Sequence, residues 1–304
     1  MRRIAPAFLV LTALALPLAA AAPSGDALSL VPPDAATAGL VHVTDLRTSP
    51  LFDRVFSETD RISCDADGAR FLSEAGLDPR RDVDLVVFAA APGTDGAGWA
   101  LVAFEGRFDP VKLAAATAAQ GAAVKTTVWG DYFLLPERKA GGTEHGRGAI
   151  AYVSSRLVVA GSETAVVQAL ARRASGGGGF AAGEGLGRQM SRVDPKASAW
   201  VLVDMSRVPV KGRTAADHAE SPAFAVVSAM KTVSFAVLSA TVEGDALKLS
   251  ATGVSDDAET RRDLGDAVRG VLAIWRMAAQ EKHPDLVPVL RAFKVTEGKD
   301  SVTL

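Results

Sequence analysis

The run "DVDLVVFAAA", residues 82–91, places Val83, Leu85 and Val87 on one side of an extended chain, with Val86 and Phe88 on the other. A strand with water on one side alternates apolar and polar residues, whereas one apolar at both parities needs cover above and below. Two arrangements satisfy that demand. Two half-sheets can pack face to face, or they can join edge to edge with helices and loops on both sides.

The rest of the chain supplies such partners in a recurring order. "GLVHVTDLR" (39–47) is strand-like, and Ser49-Pro50 has the form of a helix start, with Ser49 as N-cap and Pro50 at the first helical position. Strands at 82–91 and 98–106 follow, then a helix from Asp109-Pro110 to Gln120 ended by Gly121. "AVKTTVW" and "YFLLP" flank the turn Gly130-Asp131, and "AIAYV" and "RLVVA" form a further hairpin that leads into a helix from Ser162 to Arg173.

A similar order returns after residue 196. "WVLVDMSR" (200–207) matches "LVHVTDLR" (40–47), and Ser221-Pro222 matches Ser49-Pro50. "TVSFAVLSAT" (232–241) corresponds to "DVDLVVFAAA". "ALKLSATGVSDD" corresponds to "WALVAFEGRFDP", which puts Gly253 at the position of Gly106. "KVTEGKDSVTL" matches "TTVWGDYFLL", with Gly298 for Gly130. The expected fold class is therefore α+β, two tandem βαββαβ-like repeats with mainly antiparallel sheets and helices packed on them. Its expected divisions are a signal peptide at 1–21, a lead-in at 22–38, a first repeat at 39–174 with an extra hairpin and helix, a Gly-rich linker at 175–196 and a second repeat at 197–304. A long helix from Asp256 to about Lys282 carries Leu264, Val268, Val271, Leu272 and Trp275 at helical spacing, a stripe suited to lie on the sheet.

The N-terminus reads as an export signal. Arg2 and Arg3 precede an apolar run and then small residues, with cleavage sites of the Ala-x-Ala kind at Ala19–Ala21 or Ala20–Ala22. Pro6 and Pro17 interrupt the run, which argues against a retained anchor, and no membrane-spanning segment is expected after cleavage. The expected location is periplasmic or secreted. A net charge of −2, about −4 without Arg2 and Arg3, provides no basis for binding nucleic acid. Cys64 is the sole cysteine, so no internal disulfide forms and a packed core must supply the stability.

Candidate chemistry is sparse. "GGGGFAAGEGLG" (176–187) follows a helix instead of a strand and lacks a Lys-Ser/Thr pair, so it suits a linker better than a phosphate loop. Ser228 and Lys231 fit the Ser-x-x-Lys pattern of penicillin-recognising enzymes. The chain contains no asparagine for the companion element, and the lysine at a solvated helix end should stay protonated. His42, His145, His218 and His283 are scattered without metal-ligand spacing. His42 lies near Asp45, but on a continuous strand the two would point to opposite faces. "DADG" (65–68) suits a helix start better than a calcium loop. Asp82 and Asp84 could pair on one strand face, yet Arg80 and Arg81 beside them favour a solvated strand end. No catalytic, cofactor-binding or metal-binding residue is assigned, and no cofactor is expected.

"LVPPDAATAGLVHVTDLRTSPLF" and "GRFDPVKLAAATAAQG" together resemble a loose group of exported bacterial proteins of unknown function, in which a proline-bearing lead-in precedes a strand and repeated βαββαβ-like units follow. The resemblance implies an architecture and carries no activity. In this chain the sequence stops on a strand at Leu304, where that pattern leads one to expect a further closing segment. The functional expectation is an exported, non-catalytic binding or scaffolding protein of the cell envelope. Two alternatives stay open: a carrier of a small apolar ligand held between the halves, and a hydrolase whose site is assembled from residues distant in sequence.

Overall fold

The computed structural model describes residues 26–49, 66–93, 98–136, 147–208, 233–244, 246–282, 284 and 287–304. In chain order the elements are α1 (Asp26–Ser29), β1 (Thr37–His42), α2 (Val43–Arg47), α3 (Ala66–Ala75), α4 (Pro79–Asp82), β2 (Val83–Ala91), β3 (Trp99–Gly106), α5 (Pro110–Ala119), β4 (Ala123–Thr127), β5 (Gly130–Leu134), β6 (Gly148–Ser154), β7 (Leu157–Ser162) and α6 (Glu163–Ala174). Two 3-10 segments, Gly179–Ala182 and Gly185–Arg192, precede β8 (Ala199–Asp204), β9 (Phe235–Glu243) and β10 (Ala246–Val254). The chain then forms α7 (Ala258–Lys282), α8 (Val287–Ala292), β11 (Thr296–Glu297) and β12 (Ser301–Thr303). The fold is α+β, with helices packed on an antiparallel sheet.

The described strands form one sheet in the order β11-β12-β10-β9-β8-β1-β2-β3-β7-β6-β5-β4. Of the two arrangements left open by the sequence, the edge-to-edge one is present. β1 and β8 pair antiparallel from Thr37 opposite Val203 to Val41 opposite Ala199, so Leu40 lies opposite Trp200. From that pair outward, Leu40 faces Val87 and Val87 faces Ala103, while Trp200 faces Ser239 and Ser239 faces Ser250.

Both faces carry core, as the double parity of β2 requires. Leu40, Val87, Leu101, Val159 and Trp200 belong to the first face, covered by α1, α6 and the 3-10 segments. The second face in the first half presents Val41, Val86, Phe104 and Val158 to Ala75 of α3 and to Leu113 and Ala116 of α5. In the second half α7 covers it, with Leu264 and Val268 near Val233 and Val302. β10 departs from the double pattern: Lys248, Ser250 and Thr252 alternate with Leu247, Leu249 and Ala251, so only its second face is apolar.

Local chemistry explains the helix ends. Asp109 accepts from the amides of Val111 (3.1 Å) and Lys112 (3.2 Å), and Pro110 begins α5. Ser162 occupies the N-cap position of α6 but makes no capping bond through its side chain. The lead-in is bound to the sheet through Glu105, a buried carboxylate on β3 that accepts the Ala27 amide at 2.8 Å.

Three expectations need amendment. The segment 39–47 is not strand throughout: β1 ends at His42 and Val43–Arg47 is helical, which takes Asp45 off the strand. The glycine-rich stretch is packed chain, for Phe180 and Leu186 are buried and the Phe180 ring stacks on Trp200 at 6.1 Å between centroids. The C-terminal hairpin pairs beside β10, with Val302 opposite Gly253, whereas β4 and β5 lie at the opposite end of the sheet. Its likeness to "TTVWGDYFLL" reflects turn chemistry common to hairpins, not a shared place in the sheet. The Ser49-Pro50 and Ser221-Pro222 helices fall on positions outside the described residues, save Ser49 itself.

Gly106 and Gly253 differ in what surrounds them. A Cβ at Gly106 would lie 2.0 Å from the backbone carbonyl oxygen of Asp82, while one at Gly253 would meet the tip of Leu264 at 2.8 Å. Gly106→Ala is expected to destabilise the fold by about 1–3 kcal/mol, and Gly253→Ala by less because a side-chain tip can move. Urea unfolding of the two variants beside wild type checks the order.

Candidate functional site

Among the described residues the sequence candidates do not converge. His42 is at the end of β1, where its amide donates to the Ser198 carbonyl at 2.7 Å, and no hydrogen bond joins its ring to Asp45. Ser228, Lys231, Cys64, His145, His218 and His283 lie outside the described residues. "DADG" does open a helix, since α3 runs from Ala66. No group of three or more His, Cys, Asp or Glu side chains among the described residues could hold a metal ion.

Asp82 and Asp84 do not form a solvated strand end. Asp84 accepts Arg47 Nη1 at 2.9 Å and Arg107 Nη1 at 3.3 Å. The same two guanidiniums donate to backbone oxygens around the α4–β2 junction: Arg47 to Arg80 (2.5 Å) and Val83, and Arg107 to Arg81. The result is a clamp joining α2, β2 and the residue after β3, in which arginine donors satisfy carbonyls that α4 leaves without helical partners. Asp82 is buried and bonded to the Asp78 amide (2.9 Å) and to Arg81 Nε (3.1 Å). Burial alone would raise its pKa, but the bonds from Arg81 and the Asp78 amide, with the charges of Arg81 and Arg107, hold it below the ordinary value. These donors are already committed, which makes the cluster structural.

A second polar pair fixes α6 to the sheet. The Tyr132 hydroxyl donates to Glu163 Oε1 at 2.6 Å, and that bond, then burial and the glutamate's charge, raise the tyrosine's pKa. Glu163 is in the first turn of α6, where its charge also suits the helix dipole.

A feature suited to a ligand lies on the second face of the second half and is apolar. One hollow of about 350 Å³ opens over β8–β10, between Val201, Leu238, Ala240 and Leu249. A narrower one of about 170 Å³ continues under α7, against Val268, Leu272 and Trp275. Leu238, Ala251 and Leu304 line both, so the two form one groove. Among the described residues no ionisable side chain lines either part. Its walls also explain why β10 is apolar on one side only: Leu247, Leu249 and Ala251 face the side on which α7 lies.

The groove is only partly roofed. Leu249 and Trp275 remain about half exposed, at 51% and 52%, and Leu238 and Leu247 are nearly as open. The stripe Leu264, Val268, Val271, Leu272 and Trp275 does lie on the sheet as the sequence spacing suggests, with Leu264, Val271 and Leu272 buried. What sequence reasoning missed is that Leu238 and Leu249 stay uncovered. The signal available was the clean alternation of "ALKLSAT", which marks a strand with only one apolar face.

The sequence matches no protein-family profile and no curated protein. Among solved structures the chain is similar to crystal forms of TP0453, a Treponema protein of unknown function. Form III aligns at 9% identity and a TM-score of 0.49, over 91% of this chain and 90% of that one. Form I aligns at 8% identity and 0.47, over 91% and 89%.

The clamp yields two expected outcomes. Asp84→Asn should destabilise the protein by about 1–2 kcal/mol, because the partly buried Arg47 loses its charged acceptor while the exposed Arg107 can turn to water; chemical denaturation measures this. For Asp82 the folded pKa lies below the unfolded one, so its charge stabilises the fold above the ordinary carboxylate range, and that contribution is lost as the pH falls through the folded value. The stability gap between wild type and Asp82→Asn should therefore be open at neutral pH and close below about pH 4. A gap that does not change with pH would show that the carboxylate's charge is not what stabilises this corner.

Proposed function

We propose that the chain is an exported, non-catalytic binding protein that carries a small apolar ligand in the groove beneath α7. The observation that carries this reading is an apolar groove walled by Val201, Leu238, Leu249 and Trp275, with no ionisable side chain among its described lining residues. Such a surface holds a ligand by burial of apolar area, with side-chain hydroxyls only from Ser239, Ser250 and Thr252 among the described lining residues. The ligand's place differs from the sequence expectation. The halves meet along the β1–β8 ladder, and the groove belongs to the second half alone.

Nile red binding tests the groove. Wild type should bind the dye saturably, and Leu249→Asp or Leu238→Asp should weaken binding by about tenfold or more, since a carboxylate would then have to be desolvated. Both side chains are already half exposed, so the fold should survive, with circular dichroism as the control. No saturable binding, or equal binding by all three proteins, would overturn the reading.

Export rests on Arg2, Arg3, the apolar run and the small residues that follow. Intact mass of protein recovered from the periplasmic or secreted fraction should place the mature start at or near Ala22. Membrane-bound protein retaining Met1 would contradict export with cleavage. Duplication of an ancestral half is also proposed, supported by Leu40 lying opposite its sequence counterpart Trp200. From there the paired residues lead to Gly106 and Gly253 as equivalents, but they set Ser239 in the place of Val87, two residues from the sequence match of 232–241 with 82–91. An experimental structure in which β8–β10 superimpose on β1–β3 one residue out of that register would refute it.

A further inference from the structure

The two ends of the sheet differ. β11 has two residues, too few to offer a ladder, whereas β4 runs for five residues from Ala123 to Thr127 and, among the described strands, pairs on one side only, with β5. A free edge of this length displays peptide groups that another strand can satisfy.

Which groups are free follows from the neighbouring pairing. The Leu135 amide donates to the Gly148 carbonyl, so Leu135 and Phe133 direct their peptide groups towards β6, and Tyr132 and Leu134 direct theirs towards β4. Their partners Lys125 and Ala123 are consequently the inward-bonded residues of β4. Val124 and Thr126 turn their N–H and C=O outward.

The same hairpin exposes large apolar side chains. Val124 is 58% exposed, and at the turn Val128 is 91% and Trp129 46% exposed. We infer that this edge is a dimerisation surface, on which β4 pairs antiparallel with β4 of a second copy of the chain.

Register follows from charge and length. An antiparallel pair that uses the outward groups has its dyad on Val124, Lys125 or Thr126. A dyad on Lys125 sets the two lysines directly opposite each other, which is unfavourable. A dyad on Val124 runs off the start of the strand, where Gly121 takes up a left-handed conformation (φ 83°). With the dyad on Thr126, Lys125 faces Thr127 of the other copy and Val124 faces Val128. Trp129 then lies level with Ala123. This register covers the three exposed apolar residues at once, so the surface is self-complementary and the assembly closes as a dimer.

Sedimentation velocity on the full chain, across a concentration series, tests the inference. Wild type should sediment as a dimer. Val124→Pro should sediment as a monomer, because it removes an outward N–H without breaking the β4–β5 ladder. Val128→Lys, at a side chain already in water, should do the same without a folding risk. Oxidised Thr126→Cys should give a covalent dimer on non-reducing gels beyond any formed by wild type through Cys64, and Lys125→Cys should not. The expected separation of Thr126 from its mate, about 5.5 Å between Cα atoms, permits the bridge. A wild type that stays monomeric throughout, or a dimer indifferent to both edge variants, would overturn the proposal. Cross-linking by Lys125→Cys alone would overturn the register.

Discussion

Five residue pairs between β1 and β8, from Thr37 opposite Val203 to Val41 opposite Ala199, turn two half-sheets into one. Everything that covers the middle of the molecule answers to that ladder. A sheet continuous through the seam leaves apolar residues of both halves side by side on each face, and each side has to be shielded from water. On the first face Phe180 stacks on Trp200, itself opposite Leu40. The lead-in closes the same face further out, where Leu30 and Val31 are buried and Glu105 holds the Ala27 amide.

The halves solve the problem of the second face unequally. In the first half α3 and α5 lie over Val86, Phe104 and Val158, and the Arg47–Asp84–Arg107 clamp secures the corner from which β2 departs. In the second half α7 covers the part near Val302 and Leu264 but not Leu238 and Leu249. Among the described residues of this half no ion pair of the Arg47–Asp84–Arg107 kind joins β9 to its neighbours. Arg207, on the segment that follows β8, is exposed and forms no ion pair with β9 among the described residues.

Much of the fold was legible in the residues. The double parity of "DVDLVVFAAA" required cover on both faces, and Asp109-Pro110 marked the start of α5 with the cap that forms there. Other parts were not legible. Arg80 and Arg81 beside Asp82 and Asp84 suggested a solvated end, but the arginines that grip Asp84 are Arg47 and Arg107, which come from other elements. Likewise the glycines of 176–187 pointed to a linker, while Phe180 among them supplies a buried ring.

By itself the sequence determined most of the strands, the capped start of α5 and the need for two covered faces, because side-chain parity and helix caps are local properties. Only the tertiary structure decided that the halves join through β1 and β8, that β12 rather than β4 or β5 lies beside β10, and that Leu238 and Leu249 line an open groove. The physical reason is that backbone hydrogen bonds can satisfy any strand edge. Which edge meets which is settled by the burial each pairing allows, and that burial depends on residues far apart along the chain.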